Sequence, residues 1–176
     1  MGSFFYRMMG AAVLDRSIYE GIEADARAGR QALGVVLLAS IAAGIGASGA
    51  AGLRPSLLLG VAAMALVGWM AWAALILQIG GRYLPGRATV TNLGELLRTV
   101  GFAASPGVLL AFGLIVPPRV IFLIVGLWMI AAMIVAIRQA LDYHSTARAA
   151  AAALAAFCVV AAVAFGLGLF FGATVS

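Results

Sequence analysis

The stretch PSLLLGVAAMALVGWMAWAALILQIGG, Pro55 to Gly81, runs for 27 residues without one charged side chain. A helix rises about 1.5 Å per residue and a hydrocarbon core is roughly 30 Å thick, so about 20 residues cross it. The stretch shows no period-two alternation, which excludes a barrel strand and leaves a membrane-spanning helix. The same pattern extends to both sides. Gln31–Leu53 is uncharged for 23 residues, Thr99–Pro118 for 20, Val120–Ile137 for 18, and Ala149 to the end for 28. The expectation is an all-α, polytopic membrane helix bundle with five transmembrane helices, at about 31–53, 56–81, 99–117, 120–138 and 149–174. Residues 31–176 form this membrane domain, and residues 1–30 form an amphipathic N-terminal segment. Pro117 and Pro118 separate the third and fourth windows, because paired prolines stop a helix. A four-span arrangement with a long re-entrant hairpin there is the alternative.

Composition agrees. At 65% hydrophobic residues and a mean hydropathy of +1.13, only a bilayer can cover the apolar surface of this chain. The first apolar window opens after Arg30, and Asp15, Glu20, Glu23 and Asp25 precede it, a pattern unlike a secretory leader. The single cysteine, Cys158, lies in the last window and is expected to be a small buried apolar residue. Every basic residue is Arg, which with the abundance of Ala and Gly resembles the usage of a high-GC bacterial genome.

Charge gives the orientation. With five spans, Arg7, Arg16, Arg27, Arg30, Arg82, Arg87, Arg98, Arg138 and Arg148 share one side, and only Arg54 and Arg119 lie opposite. The positive-inside rule then puts the N-terminus in the cytoplasm and the C-terminus in the periplasm or outside, across a bacterial inner (plasma) membrane. The six carboxylates fall on the same inner side, so nine Arg leave a net +3 there, a general attraction to anionic headgroups without the cluster of a dedicated lipid reader.

Residues 3–14 place Phe4, Phe5, Tyr6, Met8, Met9, Val13 and Leu14 around Arg7, too short to span but suited to an interfacial helix. Ser17 and Glu20 have the spacing of a capping box. In the first span Ser40, Gly44, Ser48 and Gly52 recur every four residues, a candidate helix-packing interface, and Gly168 and Gly172 form a weaker pair. Trp69 and Trp72 sit mid-window and read as packing residues.

The most informative polar stretch is TVTNLGELLRTVGFAASP, residues 89–106. Thr91 or Asn92 can cap a helix whose first turn holds Glu95, with Arg98 at i+3 and an apolar face of Leu93, Leu96, Leu97 and Val100. Pro106 falls inside the third window and is expected to kink it. Arg138 and Asp142, four apart, end the fourth window. Glu95, Arg98, Arg138 and Asp142 are a candidate charged network at the cytoplasmic mouth, the alternative being two independent solvated helix ends.

Catalytic chemistry is hard to place. No Asp, Glu, Lys, Arg or His lies mid-span, and Gln78 is the most polar side chain well inside a window. One His and one Cys cannot build a tetrahedral metal site, and no phosphate-binding or nucleophile motif is present. The expectation is therefore no enzyme, no cofactor, no metal and no nucleic-acid partner.

The run GELLRTVGFAASPGVL (94–109), with Gly101, Phe102 and Pro106 as a small–aromatic–proline lead-in to a span, resembles bacterial members of the Yip (Ypt-interacting protein) domain family, as does LWMIAAMIVAIRQALDYHSTARA (127–149). The resemblance covers residues 17–172 and implies five spans with a cytoplasmic N-terminus. Eukaryotic members act in vesicle trafficking and bind small prenylated GTPases through longer N-termini. With only about 30 residues in that segment, the GTPase role does not carry over to this chain. The expected function is non-enzymatic: a scaffold or accessory subunit of a membrane complex, or a membrane-organising oligomer, whose partners are the lipid bilayer and other membrane proteins or itself. A channel or transporter for a small or lipophilic solute is the alternative.

Overall fold

The computed structural model describes residues 2–48, 55–86 and 91–172, and every regular element among them is helical. Gly52, Arg54 and Arg87, which figured in the packing stripe and the charge count, lie outside the described residues. Two short helices, α1 (Gly2–Ala12) and α2 (Arg16–Ala24), precede α3 (Ala28–Ser48). Then come α4 (Pro55–Gln78), which widens into a π-helical turn at Ile79–Tyr83, and α5 (Leu93–Phe102), which continues as a 3₁₀ segment at Ser105–Leu114. Finally α6 (Pro118–Ala140) and α7 (Thr146–Gly172) complete the bundle. Five of these runs are long and apolar enough to cross a membrane: 28–48, 58–83, 93–114, 118–140 and 146–163. The chain is a multi-pass membrane protein of all-α class.

The third crossing takes in α5 and the 3₁₀ segment together, starting at Leu93 and not at the charge-free Thr99. Asn92 caps it with a complete capping box: its side chain accepts from Glu95 N at 3.0 Å, and Glu95 Oε2 accepts from Asn92 N at 3.0 Å. This run is the centre of the bundle, 61% of it buried, against 11% for 58–83 and 17% for 146–163. Pro106 stands in the first turn of the 3₁₀ segment, so the span changes winding there. The α3 helix lies along the third crossing over small residues. A Cβ at Gly101 would sit 2.8 Å from Ala32 Cβ, one at Gly107 2.9 Å from Ala39 Cβ, and one at Gly113 2.7 Å from Gly46 O. Backbones therefore touch almost directly, as small residues in lipid permit.

Two local features differ from the sequence pattern. Asp15, not Ser17, caps α2: its carboxylate accepts from Ser17 N at 2.9 Å and from Ser17 Oγ at 2.7 Å. Asp15 stands one residue before the helix, where its carboxylate meets the free amides, whereas Ser17 already lies inside the first turn. Cys158 is exposed on α7 and not buried, because that helix packs through Ala149, Ala152 and Ala156 on another face.

The short helices α1 and α2 fold back over the end of the bundle that carries Arg30, Arg98 and Arg138. Ala11, Ile18, Tyr19 and Ile22 join Ala28, Ala32, Val35, Phe102, Ala132 and Ala136 in one buried cluster. Phe4 packs on Phe102 at 6.5 Å between ring centroids, and Trp128 Nε1 donates to Ala12 O at 2.7 Å. Arg7 pairs with Asp25 at 2.8 Å and donates to Gln31 Oε1 at 3.0 Å. Phe5, Tyr6 and Met9 form the outer row of α1 and are exposed, as is Val13 just beyond it.

Candidate functional site

Ionisable side chains gather under this cap. The amphipathic α2 turns Ile18, Tyr19 and Ile22 into the bundle, and Glu23, four residues beyond Tyr19, falls at the margin of that apolar face. Burial pushes the Glu23 carboxyl up to about 7, and the neighbouring charges of Asp142 and Glu95 push the same way against Arg98. Arg98 donates through Nη2 to the backbone oxygen of Glu23, and its Nε is buried with no hydrogen-bond partner. Asp142 reaches the group because α6 ends in a left-handed residue. It has φ 50°, its N–H donates to Gln139 O at 2.9 Å, and Tyr143 N–H donates to Arg138 O at 2.9 Å. These bonds make a Schellman cap with Asp where Gly is usual, and Asp tolerates that conformation better than most residues.

The four charged residues picked from the sequence thus divide. Arg98 bonds the backbone of Glu23, and the charges of Glu95 and Asp142 act on the carboxyl of that residue, which the sequence pattern did not single out. Arg138 turns away and fastens the α6–α7 loop: Nε donates to Tyr143 O, Nη1 to Thr146 Oγ1 and Nη2 to His144 O, each at 3.0 Å. A cation there also suits the negative end of α6. Among the described residues Arg7–Asp25 is the one ion pair, so the four do not pair with one another at contact distance. The signal for Glu23 was its i+4 spacing from Tyr19, a carboxylate bordering an apolar stripe.

The same loop is stitched to α4. Buried Tyr143 places its hydroxyl 2.9 Å from Gly80 O and 2.6 Å from Leu84 O, at the π-helical turn. Arg148 stacks over the Tyr143 ring at 5.8 Å and donates to Pro85 O at 3.1 Å. A polar hollow of about 520 Å³ lies beside this loop, with Arg16, Glu20, Arg138 and Asp142 in its wall.

Deeper in the bundle the surroundings are apolar. A cavity of about 370 Å³ lies between α3, α4 and the third crossing, and one of about 390 Å³ between α4, α6 and α7. Trp72, Met129 and Met133 border both. Trp69 fixes the adjoining wall by donating to Leu97 O at 3.1 Å. Of the packing stripe, Ser40 lines the first cavity and returns its hydroxyl to Leu37 O at 2.9 Å. Gly44 faces Leu58 of α4, where a Cβ would come within 2.6 Å of Leu58 Cδ2, and Ser48 bonds Ile45 O at 2.8 Å. The stripe therefore serves contacts inside the chain at Gly44. The tightest contact, Gly46 on Leu110 and Gly113, lies off the stripe. No group of three or more His, Cys, Asp or Glu able to hold a metal occurs among the described residues.

Five apolar crossings, a central third span entered through a capped amphipathic turn, and a helical cap over one end define a polytopic α-helical membrane protein. The family model of the Yip1 domain matches residues 16–170, from the start of α2 nearly to the end of α7. The chain belongs to the Yip1 domain family. No curated protein and no solved structure matches it.

Proposed function

We propose that this protein works without catalysis, by association within the bilayer, as a scaffold or accessory subunit of a membrane complex or as a membrane-organising oligomer. The membrane is read as a bacterial inner membrane, with the α1–α2 cap in the cytoplasm and the C-terminus on the far side. The observation that carries the reading is the uneven burial of the spans. The third crossing is the most buried, whereas α4 and α7 leave more than four-fifths of their windows unburied, including Leu59, Met64, Val67, Leu154, Phe157 and Val163. Two long apolar flanks suit other helices or lipid, and no charge interrupts them from Pro55 to Gly81. The cap over the basic end and the apolar walls of both cavities fit a closed bundle better than an aqueous path.

The test is the mass of the protein component after extraction in mild detergent, with identification of co-migrating chains. An assembly of two or more chains supports the proposal, and a lone monodisperse monomer in several mild detergents refutes it. The exposed Cys158 then reports the flank used, because oxidative cross-linking in native membranes gives a covalent dimer where two copies of α7 meet. The second reading, carriage of a small lipophilic solute, draws on the two apolar cavities that meet at Trp72. It predicts that a lipophilic fluorophore is taken up by wild type and displaced when Ala153→Phe fills the second cavity.

A further inference from the structure

The two helices of the cap differ in what they turn outward. The outer side of α2 is polar, with Arg16, Ser17 and Glu20 exposed. The outer side of α1 is apolar: Phe5, Tyr6 and Met9, with Val13 just beyond, are 62–68% exposed. Its inner side is apolar as well, with Ala11 buried and Phe4 and Met8 packed on the same cluster. The one charge of α1, Arg7, is tied to Asp25 and Gln31. A helix apolar all round belongs in a core or in hydrocarbon, and the bundle covers one side only. The contacts of the inner side give its level. Phe4 meets Phe102, a Cβ on Gly34 would lie 3.9 Å from the Phe4 ring, and Trp128 donates to Ala12 O. Phe102, Gly34 and Trp128 all fall within charge-free windows, 99–118, 31–53 and 120–137. The flank of the apolar band therefore holds α1, and its outer row meets acyl chains there. Asp15 and Arg16 follow at once, and Arg16 returns to the polar hollow beside Arg138. The segment enters and leaves by the same side.

We propose that α1 is a one-leaflet wedge, its row of Phe5, Tyr6 and Met9 sunk among the acyl chains of the leaflet at the Arg-rich end, so that the protein favours membrane bulging toward that side. The occupant of the row is lipid, because its neighbours along the bundle are the lipid-level parts of α3, α6 and the third crossing. A helix of 11 residues adds a body about 16 Å long and 10 Å across to that leaflet. Among the described residues every other helix belongs to a crossing, except α2 with its polar outer side, so nothing matches this area in the opposite leaflet. Extra area in one leaflet is relieved when that leaflet lies on the convex side, which makes interfacial helices sensitive to curvature. The wedge rests on the five-crossing topology and holds whether or not the chain associates.

The experiment has two arms, both on the full-length protein in phosphatidylethanolamine–phosphatidylglycerol vesicles. In the first, Cys158→Ser supplies a cysteine-free chain, and a nitroxide is attached at Tyr6→Cys or Met9→Cys. Collisions with oxygen, which concentrates in hydrocarbon, and with a water-soluble nickel chelate give the surroundings of each label. Both positions should match Leu123→Cys on the exposed side of α6 and differ from Glu20→Cys on α2. Labels as open to nickel as Glu20→Cys, or shielded from both reagents by protein, overturn the proposal. In the second arm, narrow tubes are drawn outward from giant vesicles holding the protein with a fluorophore at its C-terminus. An external quencher silences the chains that face the other way, so only those with α1 in the outer leaflet are counted. Wild type should be enriched in the tube about twofold over the parent vesicle, and the variant Phe5→Ser, Tyr6→Ser, Met9→Ser, which keeps the inner side of α1, should be distributed evenly. No enrichment of wild type, or equal enrichment of the two, overturns the wedge. Should the triple variant not fold, the single-label arm and the enrichment of wild type decide together, and failure of either overturns the proposal.

Discussion

Replacing Gly113 by Ala tests the packing that holds the third crossing at the centre. The new Cβ would lie 2.7, 2.9 and 3.0 Å from the O, Cα and C atoms of Gly46. All three are backbone, so no side-chain rotation relieves them. Carbon contacts settle at about 3.5–4.0 Å, so α3 and the third crossing must part by on the order of 0.5–1 Å. A gap of that size forfeits roughly a quarter to a half of the dispersion energy along the contact, and overpacking of this kind costs about 1–3 kcal/mol. The intrinsic preference for Ala over Gly in a helix returns at most about 1 kcal/mol. The expected net loss is about 2 kcal/mol, read by reversible denaturant unfolding in mixed micelles followed by circular dichroism. Gly126→Ala on α6 is the control, because no neighbouring element comes within 4 Å of the place a Cβ would take there, and it should be neutral or slightly stabilising. Gly46→Ala strikes the same contact, so the double variant should lose less than the sum of the two singles. Gly113→Ala matching Gly126→Ala to within about 0.5 kcal/mol would refute the reasoning.

Tyr143→Phe removes the hydroxyl shared by Gly80 O and Leu84 O, leaving buried carbonyls at the π-helical turn, and should cost about 1–3 kcal/mol in the same unfolding assay. Asn92→Ala deletes the capping box at the start of the third crossing and should cost about 1 kcal/mol, with faster hydrogen exchange confined to the first turn of α5. Arg7 holds the Asp25 carboxyl below the usual carboxylate range, first through the side-chain hydrogen bond. That contribution is present above the ordinary value of 3.8 and lost as pH falls through the lowered one, so at pH 5 α1 should exchange more slowly in wild type than in Arg7→Ala, and the difference should shrink at pH 3.

The membrane class and the five crossings were legible because they depend on length, charge and apolarity alone, quantities a sequence carries without geometry. Pro106 was legible for the same kind of reason, since a missing donor acts wherever the chain goes. The charged site was legible only by half. Glu95, Arg98 and Asp142 lie near one another along the chain or by span topology, so their convergence follows from which end of the bundle they occupy. Glu23 required knowing that α2 folds back across α5 and α6, a contact between residues 75 positions apart. Arg138 misled because its i+4 spacing to Asp142 assumes a helix that continues. The helix stops at Ala140, and the left-handed Asp142 leaves that face.

The glycine contacts of the third crossing were hidden for a subtler reason. Gly101, Gly107 and Gly113 are spaced by six, which has no meaning on an α-helix: six residues turn it about 600°, leaving the faces roughly 120° apart. On a 3₁₀ helix, with three residues per turn and about 2.0 Å rise, six residues are two whole turns and about 12 Å. The segment after Pro106 is wound that way, so Gly107 and Gly113 face the same side. Their partners on α3, Ala39 and Gly46, are seven residues apart, close to two α-turns and about 10.5 Å. The two spacings agree only because one helix is tighter than the other. A proline that starts the tighter winding is therefore what turns a six-residue glycine row into a continuous seam against α3. Restoring α-winding beyond residue 106 would swing Gly113 off Gly46 even with every glycine kept.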